Sequence, residues 1–236
     1  MEIVTTAEGW QFLLRWIHFL AGITWIGMLY YFNFVQTPFF GSELGGTARG
    51  AMVRGLVPNA LWWFRWGAMF TFLSGWTIVL WKLHQGIAIG DPYMTKILTG
   101  GLLGTFMWAN VWFVIWPAQQ VVIRSAEQVA GGGQPIAEAA ARGARAGLAS
   151  RTNTLFSIPM LFFMGSASHL GGSFQSGHHD YVYALLLILV IGALEWNALS
   201  GTGQGRQKFL STVSGTIHGG LALTLLLYLI GLVVNS

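Results

Sequence analysis

The chain has 236 residues, 54% of them hydrophobic and only 8% charged, with a formal net charge of +4. A soluble domain carries roughly 25% charged residues, so the composition excludes a soluble globular protein and points to an integral membrane protein. Cysteine is absent, which excludes disulfides, thiolate metal sites, cysteine-bound iron–sulfur clusters and covalently attached c-type haem within this chain.

A membrane helix needs about 20 mostly apolar residues. Six stretches qualify: 11–36, 61–83, 97–122, 152–171, 181–199 and 209–234. An open sheet cannot satisfy its backbone in lipid, so all six read as helices. The expected fold class is all-α: a polytopic membrane bundle of about six transmembrane helices, in one domain covering 1–236. The first span ends before Pro38, and the third carries Asn110 and Trp112 and stops at Pro117. Pro159 falls inside the fourth span, where a kink is expected. The loop 123–151 is rich in Ala and Gly, with a short surface helix expected around 136–148. Gly201, Gly203 and Gly205 read as a turn and not as a nucleotide site. Trp10, Trp62, Trp63, Trp81, Trp116 and Trp196 fall at the predicted boundaries, as an aromatic belt would. Trp25, Trp76, Trp108 and Trp112 lie deeper, where packing and cofactor contact are the two readings. No internal repeat emerges at the level of residues.

Basic residues set the orientation. With six spans, one side holds Arg49, Arg54, Arg65, Arg124, Arg142, Arg145, Arg151, Arg206 and Lys208, and the other only Arg15, Lys82 and Lys96. Cytoplasmic loops carry the Lys/Arg excess. Both termini are therefore expected outside and the loop 123–151 in the cytoplasm, in a bacterial inner membrane. The segment Met1–Trp10 has Glu2 and Glu8 and no basic residue, unlike a signal peptide. Lipid is the expected surroundings, and no nucleic-acid partner is expected.

Three histidines lie inside apolar segments: His18, His169 and His218. Ionisable side chains in membrane segments are functional-site hypotheses, and neutral imidazole is a usual ligand of haem iron. Small residues stand about one turn away: Gly22 for His18, Gly165 for His169, and Ser214, Gly215 and Ala222 for His218. They would leave room for a flat macrocycle, or simply let helices approach closely. His18 and His169 fall at similar outer depth and could be axial ligands of a b-type haem. The alternative is a pair of histidines bonded to serines or backbone. His218 lies in the inner half, where it could bind a second haem, relay protons or bond to Asn110. His84, His178 and His179 read as outer-loop residues; His178-His179-Asp180 is a weak metal candidate. Arg65, Arg151 and Glu195 should lie near the inner boundary, with Glu195 paired to either arginine or acting as a proton entry point. Asn110 and Asn153 must find partners or a cavity, and Asn153 could simply open its helix.

Three segments carry a resemblance. Arg15-Trp16-Ile17-His18-Phe19-Leu20-Ala21-Gly22-Ile23-Thr24-Trp25-Ile26-Gly27 is similar to the opening helix of the membrane-bound, cytochrome-c-linked urate oxidase family. Ala109-Asn110-Val111-Trp112-Phe113-Val114-Ile115-Trp116-Pro117-Ala118-Gln119 resembles a second segment of that family. The stretch Ser150–Met164, followed by Ser168-His169, resembles a third. The resemblance implies a membrane domain that oxidises urate to 5-hydroxyisourate and hands electrons to a cytochrome c domain outside the membrane. It also implies functional roles for His18, Asn110, Arg151, Asn153 and His169. With no cysteine before Ser236, the cytochrome c is expected to be a separate chain.

The reading is therefore a membrane redox protein binding b-type haem through His18 and His169, with His218 as a further candidate. Asn110, Arg151 and Asn153 are the candidate catalytic residues. Its expected partner is a separate periplasmic cytochrome c or quinone, and its expected substrate urate or a similar small heterocycle. The alternatives are a haem-binding or accessory subunit of a larger electron-transfer complex, and a cofactor-free transporter.

Overall fold

A computed structural model describes residues 2–171, 174, 180–201 and 203–234. The described residues are helical or in short turns. Helix α1 runs Ala7–Tyr30, passes through a π segment Tyr31–Gln36 and ends at Thr37–Phe40. Helix α2 (Glu43–Gly55) is short and lies between α1 and α3 (Val57–His84). Helix α4 (Pro92–Ala109) likewise continues through a π segment, Asn110–Ile115, to Trp116–Ala130. Then come α5 (Ala139–His169), α6 (Asp180–Leu199), a 3-10 turn (Gly205–Ser211) and α7 (Val213–Val234).

The caps are written in the sequence. Thr6 Oγ1 accepts from Gly9 N, Ser42 Oγ from Gly45 N and Asp91 Oδ1 from Tyr93 N, satisfying amides that a helix start leaves free. Helix α2 has no counterpart among the six predicted stretches, because it is too polar to read as a span. Its signals were local: Ser42 as cap, and Glu43 in the first turn.

Two predicted helix ends are not ends. Pro38 and Pro117 fail to stop α1 and α4 because each chain widens just before its proline. Thr37 N–H reaches back five residues to Phe32 O, and Trp116 N–H reaches back five to Val111 O. A proline ring clashes with the carbonyl four residues earlier and offers no N–H; a π turn absorbs both defects. The shared pattern is Phe-Val, two intervening residues, then Pro: Phe34-Val35 with Pro38, and Phe113-Val114 with Pro117. The expected surface helix at 136–148 is also absorbed, into the first turns of α5. Pro159 lies inside α5 without breaking it.

Helix α1 packs along α3, and α5 packs on α4 and α7. Small residues allow the close approaches. A methyl on Gly67 would come 3.1 Å from Trp25 N, and one on Gly220 would come 2.9 Å from Leu155 O. In lipid, where apolar association gains little, such backbone proximity is a main source of packing energy. The core includes Trp25, Leu29, Phe64, Met107, Phe156 and Ile191. The outer surface is apolar too, with Ile23 72% and Val233 77% exposed.

Four segments are long and apolar enough to cross a membrane: Ala7–Phe40, Pro92–Ala130, Tyr181–Leu199 and Val213–Val234. This suggests a multi-pass membrane protein. Helices α3 and α5 are also long, 28 and 31 residues, but less apolar. In α5 the reason is visible: Arg151, Thr152, Asn153, Thr154 and Ser157 are all buried in the bundle, where polar groups find protein partners rather than lipid.

Candidate functional site: two polar centres flanking α5, and a histidine level

The α1–α3 connection, the first turns of α5 and the α6–α7 connection converge around a cavity of about 720 Å³, whose walls include Arg49, Gly143 and Ser211. At the opposite end of the bundle, Lys96 Nζ donates to Leu170 O and stands 5.3 Å from the Phe174 ring, joining the start of α4 to the α5–α6 connection. The long helices thus alternate in direction.

Helix α5 carries polar groups on different faces. Residues two apart on a helix are separated by about 200°, so Arg151 and Asn153 point differently. Asn153 turns toward α4 and α6. Its Oδ1 accepts from Asn110 Nδ2 at 2.9 Å, and its Nδ2 donates to Met107 O at 2.9 Å. Asn110 Nδ2 also donates to Glu195 Oε2 at 3.0 Å. Asn110 is the first residue of the π segment in α4. The three side chains are buried, Asn110 2% and Glu195 8% exposed. The expected ion pair of Glu195 with Arg65 or Arg151 does not form, because Asn110 lies between α5 and α6 and takes the carboxylate. Nor does Asn153 open its helix; α5 begins at Ala139.

Arg151 turns to the cavity. It is 9% exposed and lines the wall, and its Nη1 has no hydrogen-bond partner. Gln36 also lines it, with its Oε1 unpartnered. Asn33 donates to Ser150 Oγ at 2.8 Å and to Leu29 O at 2.9 Å, tying α1 to α5 at the cavity wall. Asn33 and Gln36 both belong to the π segment of α1. Of the three candidate catalytic residues, Asn110 and Asn153 are therefore brought together, and Arg151 is separated from them. Sequence reading missed Asn33, Gln36 and Arg49 as cavity residues; the available signal was two amides just ahead of Pro38.

Arg65 instead stacks on indoles, 3.9 Å from the Trp116 ring centroid and 5.3 Å from that of Trp112. Trp25 is buried against α3, Trp76 donates to Thr105 Oγ1 at 3.1 Å, and Trp108 stacks on Phe72 at 4.2 Å. These are packing contacts, and the indole N–H groups of Trp25, Trp108 and Trp112 are buried without a hydrogen-bond partner among the described residues.

His18 is half-buried on α1 and faces α3. Its Nδ1 lies 3.1 Å from Ser74 Oγ. Ser74 Oγ donates its own hydrogen to Phe70 O at 2.6 Å, which leaves its lone pairs available to His18 Nδ1 in the tautomer protonated there. Beneath the ring lies Gly75, where a methyl would come 2.9 Å from His18 Cε1. His169 is exposed at the end of α5. Tyr30 Oη and Ser157 Oγ meet at 2.9 Å between these antiparallel helices. His18 precedes Tyr30 by twelve residues and His169 follows Ser157 by twelve. Each thus lies about 18 Å of helix rise toward the same end. His218 is at another level. It is exposed on α7, 3.1 Å from Ser214 Oγ one turn back rather than on Asn110. Its neighbour Gly219 faces Leu155, fourteen residues before His169. His84 is exposed at the end of α3. His178 and His179 lie outside the described residues, as does the side chain of Asp180.

Residues 91–227 match the family described as urate oxidase N-terminal. No curated protein and no solved structure matches the chain.

Proposed function

The chain belongs to the urate oxidase N-terminal family, and from that premise we propose that it is a membrane redox protein that oxidises urate or a similar small heterocycle. It passes the electrons to a separate periplasmic cytochrome c or quinone. It crosses a bacterial inner membrane six times with both termini outside, α3 and α5 joining the four more apolar segments. The reading agrees with the grouping of Arg49, Arg151, the α1–α3 connection, the first turns of α5 and the α6–α7 connection at one end of the bundle.

The observation that carries the redox reading is the His18–Ser74 pair. Metal-bound histidines characteristically donate their other ring N–H to a fixed acceptor; Ser74 Oγ, 3.1 Å from His18 Nδ1, is suited to that part, and Gly75, lacking a Cβ, lets the imidazole lie against α3. His18 and His169, each about 18 Å of helix rise from the Tyr30–Ser157 contact toward the same end, are the residues that would hold a b-type haem. When bound there, such a group would supply one-electron chemistry between substrate and the outer acceptor. His18 and His169 would offer it ring nitrogens, and Ser74 would orient the first. Asn110, Asn153 and Glu195 act as positioning residues that hold α4, α5 and α6 in register. Conversion of urate to its 5-hydroxy product consumes one water and releases two protons and two electrons, which the cytochrome c or quinone accepts.

The test is a reduced-minus-oxidised visible spectrum of the purified chain, followed by urate-dependent reduction of added cytochrome c. Haem bands together with reduction support the enzyme. Haem bands without reduction reassign the chain as an electron-transfer subunit, and their absence overturns the redox reading.

A further inference from the structure

We infer that the cavity walled by Arg151, Gln36 and Arg49 is a binding site for a small planar heterocyclic anion, entered from the end of the bundle where the α1–α3 connection, the first turns of α5 and the α6–α7 connection meet. The choice of ligand rests on the proposed function; the place rests on the cavity alone. A volume of about 720 Å³ falls within the range of small-molecule pockets. Its lining includes two arginines and no carboxylate. Among the described residues Arg151 forms no ion pair and its buried Nη1 has no acceptor; such a group is costly, so an anion in the cavity would relieve that cost. Gln36 adds an unpartnered carbonyl oxygen, which suits a ring N–H. The walls supply flat apolar faces: Phe64 is buried there, and Phe40 lies 5.7 Å beneath the exposed Arg49 guanidinium. Charge, amide and aromatic faces together match an oxidised purine anion better than a compact oxyanion. Such a ligand would sit against a different face of α5 from the Asn110–Asn153–Glu195 cluster.

Absence of cysteine makes the site addressable, since any introduced thiol is unique in the chain. The experiment measures urate binding to the purified full chain in detergent, with inorganic phosphate as a compact control. Urate is expected to bind saturably, and Arg151→Gln to weaken it about tenfold or more, as for loss of a buried charge partner. Arg49→Gln, on the exposed rim, should weaken it by about threefold, and Lys82→Gln, at the opposite end of the bundle, should leave it unchanged. In Ala144→Cys, a thiol on the cavity wall, urate should slow maleimide labelling. Should Arg151→Gln fail to fold, Arg49→Gln and Ala144→Cys still decide. Binding indifferent to both arginines, labelling indifferent to urate, or phosphate competing as well as urate overturns the site. Absent haem bands with intact Arg151-dependent urate binding overturn only the redox function. Intact haem and cytochrome c reduction with an indifferent cavity overturn only the site.

Discussion

Asn110 donates through Nδ2 to Asn153 Oδ1 at 2.9 Å, at the residue where α4 widens into its π segment. The same Nδ2 reaches Glu195 Oε2 at 3.0 Å, so one amide joins three helices. Removing it would leave a buried carboxylate without that donor, which costs about 1–3 kcal/mol. Asn110→Ala should therefore lower the thermal midpoint in detergent more than Asn153→Ala. The double variant should show non-additivity of about 0.6 kcal/mol, the average for interhelical hydrogen bonds in membranes, and at most about 1.7 kcal/mol. Strict additivity in the cycle would mean that the two amides do not act as a pair.

The His18–Ser74 hydrogen bond gives a graded prediction. His18→Ala and His169→Ala should each remove or alter the haem bands. Ser74→Ala keeps the ligand but frees its tautomer and ring angle, with losses of about 10–100-fold in affinity typical for such supporting partners. Haem retained on His18→Ala and His169→Ala with unchanged spectra would refute the ligand assignment, whatever the effect of Ser74→Ala.

Gly75→Ala probes the same ring from beneath. A methyl there would come 2.9 Å from His18 Cε1, so the imidazole must move. Since the nearest atom belongs to a side chain, the fold should survive with a small loss of stability while the spectrum shifts. Gly220→Ala is the contrast, because its methyl would come 2.9 Å from the Leu155 carbonyl oxygen and 2.5 Å from Ile158 Cδ1. Backbone yields less readily, and overpacking of this kind costs about 1–3 kcal/mol. Thermal melting should rank Gly220→Ala below Gly75→Ala.

Apolar length in the sequence located most of the bundle, because lipid-facing helices must be apolar whatever their partners. It could not show where α1 and α4 end. Pro38 and Pro117 read as stops only if the helix before them is a regular α-helix, and the π turns make it otherwise. Asn110 and Asn153 were legible as polar groups needing partners, but which partners they take depends on how α4, α5 and α6 are set around one another. The same holds for Glu195, whose acceptor role toward Asn110 replaces the ion pair that charge alone suggests. The cavity was the least legible feature: Asn33, Gln36, Arg49 and Arg151 come from three helices and share no sequence pattern.

Topology gives the last prediction. Leu44 on α2 is exposed, as are Ile89 between α3 and α4 and Ala137 before α5. Six crossings put Leu44 and Ala137 on one side of the membrane and Ile89 on the other. If only the four most apolar segments crossed, Leu44 and Ile89 would share a side and Ala137 would stand opposite. Single substitutions Leu44→Cys, Ile89→Cys and Ala137→Cys each introduce the sole thiol of the chain. An impermeant maleimide added to intact spheroplasts should label Ile89→Cys alone, with the other two reacting only after lysis. Labelling of Leu44→Cys together with Ile89→Cys, or of Ala137→Cys alone, would support four crossings. The first pattern requires α3 and α5 to span despite Arg65 and Arg151. That is physically admissible because Arg65 lies against the Trp112 and Trp116 rings, and Arg151 is buried within the bundle at the cavity wall.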